Sequence, residues 1–134
     1  MTARPAEPTW LTRVIGDAIH SDQIREHGGL PGLRDENGLE SALVRPRHKW
    51  LYERPTDLAS LGATYAFGLA KNHPYHDGNK RIALLAMLTF LAINGQDVEA
   101  DDDDVLTTIL ALATGHITES QLAAWLRDRM VSTR

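Results

Sequence analysis

Apolar residues recur at steps of three and four along nearly the whole chain, and no run of β-branched residues alternates with polar ones as a half-buried strand would. The expected class is all-α, a compact bundle of about six helices. Trp10, Leu11, Val14, Ile15, Ala18 and Ile19 mark one face of a first helix, entered through Pro8 and Thr9 and stopped by Gly28 and Gly29. Gly28 to Asn37 reads as a turn-rich loop. Leu39, Ala42 and Leu43 then predict a short helix capped by Asn37 and closed by Pro46, with Arg47 to Pro55 as irregular chain that tucks in Trp50 and Tyr52. From about Asp57 a third helix carries Leu58, Leu61, Tyr65 and Leu69 on one stripe, beside Ala63, Ala66 and Ala70, small residues that let a neighbouring helix approach.

Pro74 disfavours helical geometry at His73 and has no N–H of its own, so the third helix ends near Asn72 and a tight loop follows, His73 to Gly78. The next segment, about 79–93, is apolar nearly all round beyond its first turn. Such a helix is buried by others on every side, and it is the expected centre of the fold. Asn94 and Gly95 stop it. Asp101 to Asp104 suit the N-terminus of a helix carrying Val105, Leu106, Ile109, Leu110 and Ala113, where carboxylates complement the helix dipole. Thr118 and Gln121 match a capping box ahead of Leu122, Trp125, Leu126 and Met130.

At 134 residues, with 43% hydrophobic and 24% charged residues, the chain is expected to form a single domain spanning 1–134. It has no cysteine, which removes disulfides, thiolate zinc sites and cysteine nucleophiles and suits a reducing cytoplasm. A net charge of -4 speaks against direct nucleic-acid binding by bulk electrostatics. The first eight residues lack the apolar stretch of a signal peptide. The longest apolar run, Ile82 to Ile93, is too short for a bilayer and is broken by Thr89, so no membrane association is expected.

Candidate chemistry gathers in one place, His73-Pro-Tyr-His-Asp-Gly-Asn-Lys-Arg81. A helix starting at Gly78 and Asn79 leaves several N–H groups unpaired, and Lys80 and Arg81 add fixed positive charge to that end. Basic residues in a first turn oppose the dipole, so an anion, phosphate above all, is the expected ligand. Asp77 beside it is placed to hold the magnesium that a nucleotide brings. His73, at the other lip of the loop, is a candidate general base.

This segment resembles the signature of the Fic/Doc family, and its Asp-Gly-Asn-Lys-Arg form resembles the death-on-curing toxin branch. Gly28-Gly-Leu-Pro-Gly-Leu-Arg-Asp35, Leu39-Glu-Ser-Ala-Leu43 with Pro46, and Phe90-Leu-Ala-Ile-Asn-Gly95 resemble that branch too. The resemblance implies an all-helical toxin, paired with an antitoxin, that transfers part of ATP to a protein hydroxyl. In the AMP-transferring branch a glycine stands at the position of Lys80. In the toxin branch the lysine accompanies transfer of the γ-phosphoryl group to a threonine of elongation factor Tu, halting translation. His73 is then implied as the base, Asp77 as the Mg2+ ligand, and Gly78, Asn79, Lys80 and Arg81 as the ATP-binding residues. Tyr75 stands where the family usually has Phe, and its ring fills the same slot if the hydroxyl finds a partner. Gly78 stands where the best-known toxin of the branch has a larger small residue.

Three alternatives compete: AMP transfer, a helical domain that binds a nucleotide or partner without turnover, and a metal-dependent phosphohydrolase built on the doublet His76-Asp77 with His20, His27 and His116 as further ligands. Many Fic-type enzymes also carry an inhibitory helix reading Ser or Thr, three residues, Glu, then Gly or Asn. Glu36 alone among the glutamates precedes Gly or Asn, and Gly32 stands four residues before it. Control by an antitoxin helix in trans is therefore expected, with Leu39 to Leu43 and Trp50 to Pro55 as the candidate groove.

Overall fold

The computed structural model describes residues 6–53 and 56–133. Six helices follow one another: α1 (Arg13–His27), α2 (Glu36–Tyr52), α3 (Leu58–Asn72), α4 (Asn79–Ile93), α5 (Asp102–Ala113) and α6 (Glu119–Arg129). Two three-residue strands, β1 (Gln96–Val98) and β2 (Met130–Ser132), pair antiparallel with Asp97 opposite Val131. The fold is thus all-α, as the spacing predicts, with one small ribbon that it does not. Strands this short show no period-two pattern to read.

The core lies between α3 and α4. Leu61, Tyr65 and Leu69 of α3 and Ile82, Met87, Phe90 and Leu91 of α4 are almost wholly enclosed. α3 packs on α2, α4, α5 and α6, so it shares the centre with α4 rather than lying beside it. Gly68 makes the α2 contact close: a Cβ there would stand 3.1 Å from both the Cα and Cβ of Ala42. α4 has the expected bounds, although Ile93 is 40% exposed at its end.

Two helices differ from expectation. α2 runs from Glu36 through Pro46 to Tyr52, capped by Asp35, whose carboxylate accepts from the Gly38 N–H at 2.9 Å, rather than by Asn37. An interior proline costs a helix about 3 kcal/mol. Here Leu39, Ala42, Leu43, Pro46 and Trp50 form one unbroken buried stripe, and burying the Trp50 ring on the far side of Pro46 offsets that cost. Tyr52, expected inside, is 80% exposed, and Arg54 and Pro55 lie outside the described residues. The Leu39 and Leu43 side chains face the core, so of the expected groove's helical part it is the outer side, Glu40 and Ser41 with Val44 beside them, that is exposed.

α1 begins at Arg13, not at Trp10, because Thr12 is its cap. Trp10 and Leu11 precede it as non-helical chain, with Trp10 stacked on Phe90 and the Leu11 N–H donating to the Tyr65 hydroxyl. The buried stripe of α1 is consequently rotated onto Gly16 and His20, leaving Val14 78% exposed. Among the later elements, the Thr118–Gln121 capping box forms in both directions, whereas Asp101 caps α5 without a side-chain bond.

Candidate active site

Between α3 and α4 the chain turns through six residues. His73 closes α3 in the left-handed region, at φ 47° and ψ 54°, the one non-glycine with positive φ among the described residues. Pro74 and Tyr75 are buried, while His76, Asp77 and Gly78 face solvent. Gly78, at φ 80°, offers α4 no side-chain cap. The first N–H groups of α4 therefore open outward, with no acid in the first turn to meet them.

The loop is held from three sides. Asn79 is buried, and its amide grips Tyr75, Oδ1 accepting from the Tyr75 N–H and Nδ2 donating to the Tyr75 carbonyl, each at 2.9 Å. From α1, the His20 ring stacks on Tyr75 with centroids 3.7 Å apart, and its Nε2 bonds the Asp77 carbonyl at 2.9 Å. A carbonyl only accepts, so Nε2 carries the proton. The Tyr75 hydroxyl donates to Asp17 at 2.9 Å, the partner a tyrosine needs in that slot. Burial and the Asp17 carboxylate push the phenol's pKa up, so it stays a donor. Arg13, held firmly charged by Glu36, Glu40 and Asp17, completes this network behind the loop.

The third support is the α1–α2 connection. Leu33 bridges to Tyr75, and the His76 N–H donates to the Gly32 carbonyl. The Arg34 and Asp35 N–H groups both donate to the Pro74 carbonyl, at 2.8 and 2.9 Å. The Leu30 N–H donates to Asp77 Oδ2 at 2.7 Å, which aims that carboxylate.

Together these supports shape a cleft of about 410 Å³ lined by His73, His76, Asp77, Gly78, Asn79, Lys80, Arg81 and, from α5, Leu106. All six residues singled out from the sequence thus meet in one cavity. Asn79 differs in manner, since its amide is committed to the Tyr75 backbone. Lys80 and Arg81 differ from the other cations. Every other lysine and arginine among the described residues has a carboxylate, carbonyl or aromatic ring as partner, and these two have none.

Two supporting residues escape a sequence reading focused on the motif. His20 enters a sequence reading only as a ligand of the metal-cluster alternative, and Arg34 only as part of the Gly28–Asp35 segment, since its partners Asn72 and His73 lie 38 and 39 residues away. The metal-cluster alternative loses its geometry: among the described residues no three His, Asp or Glu side chains gather to hold a metal ion. His20 instead stacks on Tyr75, and His116 pairs with Thr114.

Comparison with known proteins agrees with this geometry. The family model described as Fic/DOC matches residues 10–91, which include the whole loop and all but the end of α4. The chain is 38% identical over 110 residues to "Protein kinase doc" of Escherichia phage P1, covering 82% of this chain and 86% of that protein. It is 41% identical over 80 residues to "Toxin Doc" of Mycolicibacterium smegmatis (strain ATCC 700084 / mc(2)155), covering 57% of this chain and 59% of that one. With α1 to α3, the motif loop and most of α4 matched in one continuous stretch, the chain belongs to the Fic/Doc family.

Proposed function

We propose that residues 1–134 act as one Fic/Doc domain, a toxin that transfers the γ-phosphoryl group of ATP to a Ser or Thr hydroxyl of a cytoplasmic protein, elongation factor Tu, and so halts translation. The observation that carries this reading is the pair of unpartnered cations, Lys80 and Arg81, at the uncapped start of α4 and in the same cleft as His73 and Asp77. Unpaired charge at a positive helix end is unfavourable unless an anion arrives.

His73 accepts the proton of the acceptor hydroxyl as its oxygen bonds the γ-phosphorus. The bond from that phosphorus to the β–γ bridging oxygen breaks, and ADP leaves with the electron pair. Lys80, Arg81 and the free N–H groups of α4 neutralise the charge spread over the phosphates, which is most of what phosphoryl transfer asks of a protein. Asp77 fits Mg2+, which takes one or two carboxylates and completes its shell with phosphates and water: the carboxylate lines the cleft and its Oδ2 is oriented by the Leu30 N–H. Bound there, the ion would neutralise phosphate charge. Asn79 serves this site by holding Tyr75 and hence the curve of the loop.

The test uses ATP labelled on the α or the γ phosphate with elongation factor Tu as acceptor. The γ label should move, His73→Ala should abolish its movement with the helical circular dichroism unchanged, and Lys80→Gly should reduce it at least tenfold. Movement of the α label instead would assign AMP transfer. Nucleotide binding without product would leave a binding domain.

A further inference from the structure

His73 is held in a conformation that its own backbone cannot close. A helix ending in a left-handed residue ordinarily has Gly or Asn there, and the N–H groups beyond it bond back to the last carbonyls. Here the residue is a histidine, for which left-handed geometry costs on the order of 1–2 kcal/mol. The next residue is Pro74, which has no N–H to give. The terminal carbonyls of α3 must find donors elsewhere.

The donors come from Arg34. Its Nε donates to the His73 carbonyl at 3.0 Å, Nη2 donates to the same oxygen, and Nη2 also reaches the Asn72 carbonyl at 3.2 Å. The guanidinium adds positive charge at the negative end of the α3 dipole. Around it lies a separate grip: the Arg34 and Asp35 main-chain N–H groups donate to the Pro74 carbonyl, and the Asn72 side-chain amide donates to the Gly38 carbonyl at 2.9 Å. Main-chain bonds hold the loop to the connection whatever residue stands at 34. The guanidinium alone addresses the carbonyl of His73.

We infer that Arg34 is a positioning residue for the transfer reaction: by satisfying the His73 carbonyl it fixes the left-handed backbone at 73 and thereby the direction in which the imidazole meets the acceptor hydroxyl. The inference rests on the proposed role of His73 as base. Arg34 touches no reacting atom, so its loss should act on turnover and spare nucleotide binding. Misplacing a reacting group by about 1 Å can cost on the order of a hundredfold in rate.

Arg34→Met keeps the aliphatic stem and the main-chain bonds while removing every guanidinium donor. It should lower kcat for γ-phosphoryl transfer by about tenfold to a hundredfold, with the KM for ATP within about twofold of the parent. Arg34→Lys, which can supply one donor, should recover part of the loss. NMR of the full chain separates this inference from the reading beneath it, because it needs no turnover. In Arg34→Met the backbone resonances of 72–74 should shift, those of His73 away from values typical of a left-handed residue, while those of α4 stay. If the parent transfers nothing yet these resonances move, the transfer reading fails and the clamp stands. Unchanged resonances at 72–74, an unchanged kcat, or a loss confined to KM would each overturn the inference.

Discussion

Asp57 shows how one side chain serves two elements. Its Oδ1 caps α3 by accepting from the Ser60 N–H at 2.9 Å, and both oxygens accept from Arg127 of α6. The Arg127 guanidinium, with help from the cap, holds its pKa down to about 2 from an ordinary 3.8. A carboxyl lowered on folding stabilises the protein above its unfolded pKa, and that contribution is lost as pH falls through the folded one. The window is therefore about pH 4 to about pH 2. Because the pair is half exposed, solvent screening limits its worth to about 1 kcal/mol. Asp57→Asn keeps a good cap and loses the charge, so its thermal midpoint should fall slightly at pH 6 and match the parent at pH 2. A constant difference across that range would deny the ion pair its role. Tyr75 illustrates what is legible at this scale: the sequence requires a partner for its hydroxyl but cannot say that Asp17, 58 residues earlier, supplies it.

Helices that end in punctuation are readable, and those that run through it are not. α3 and α4 have nearly the expected bounds because Asp57, Pro74 and Gly95 mark them, and the Thr118 capping box fixes the start of α6. α2 was hidden by Pro46, since a local rule cannot weigh the burial of Trp50 one turn later. The phase of α1 was hidden too, because His20 is drawn inward by partners on a distant loop. Glycines within α3 give a test of packing at this scale. At Gly62 a Cβ would lie 3.4 Å from the flexible Leu91 side chain, an ordinary contact, so Gly62→Ala should gain helix propensity and stabilise by about 0.5–1 kcal/mol. At Gly68 the same atom would meet the α2 backbone at Ala42, which cannot step aside. Gly68→Ala should destabilise by about 1–3 kcal/mol, and urea unfolding of both variants, read for opposite signs, checks the pair.

For the molecule as a whole, restraint should come from a partner. Glu36, the glutamate nearest to an inhibitory pattern in sequence, is tied to Arg13. Induced expression should therefore stop growth, co-expression of an antitoxin from the same operon should restore it, and His73→Ala should be tolerated; growth arrest by His73→Ala at equal expression would separate toxicity from transfer. The bonds that build the cleft also bear on when the proposed activity should arise. Leu30 meets Asp77 across 47 residues and Arg34 meets His73 across 39, so each closes a long loop and its entropy is lost before the contact is made. Helices α3 and α4 pack as near neighbours in the chain and need no such closure. A partly folded molecule can thus hold its helical core while the connection still roams, with His73 unclamped and Asp77 unaimed. On the proposed reading, γ-phosphoryl transfer should therefore lag helix formation during refolding, a delay that stopped-flow circular dichroism run beside a transfer assay would show.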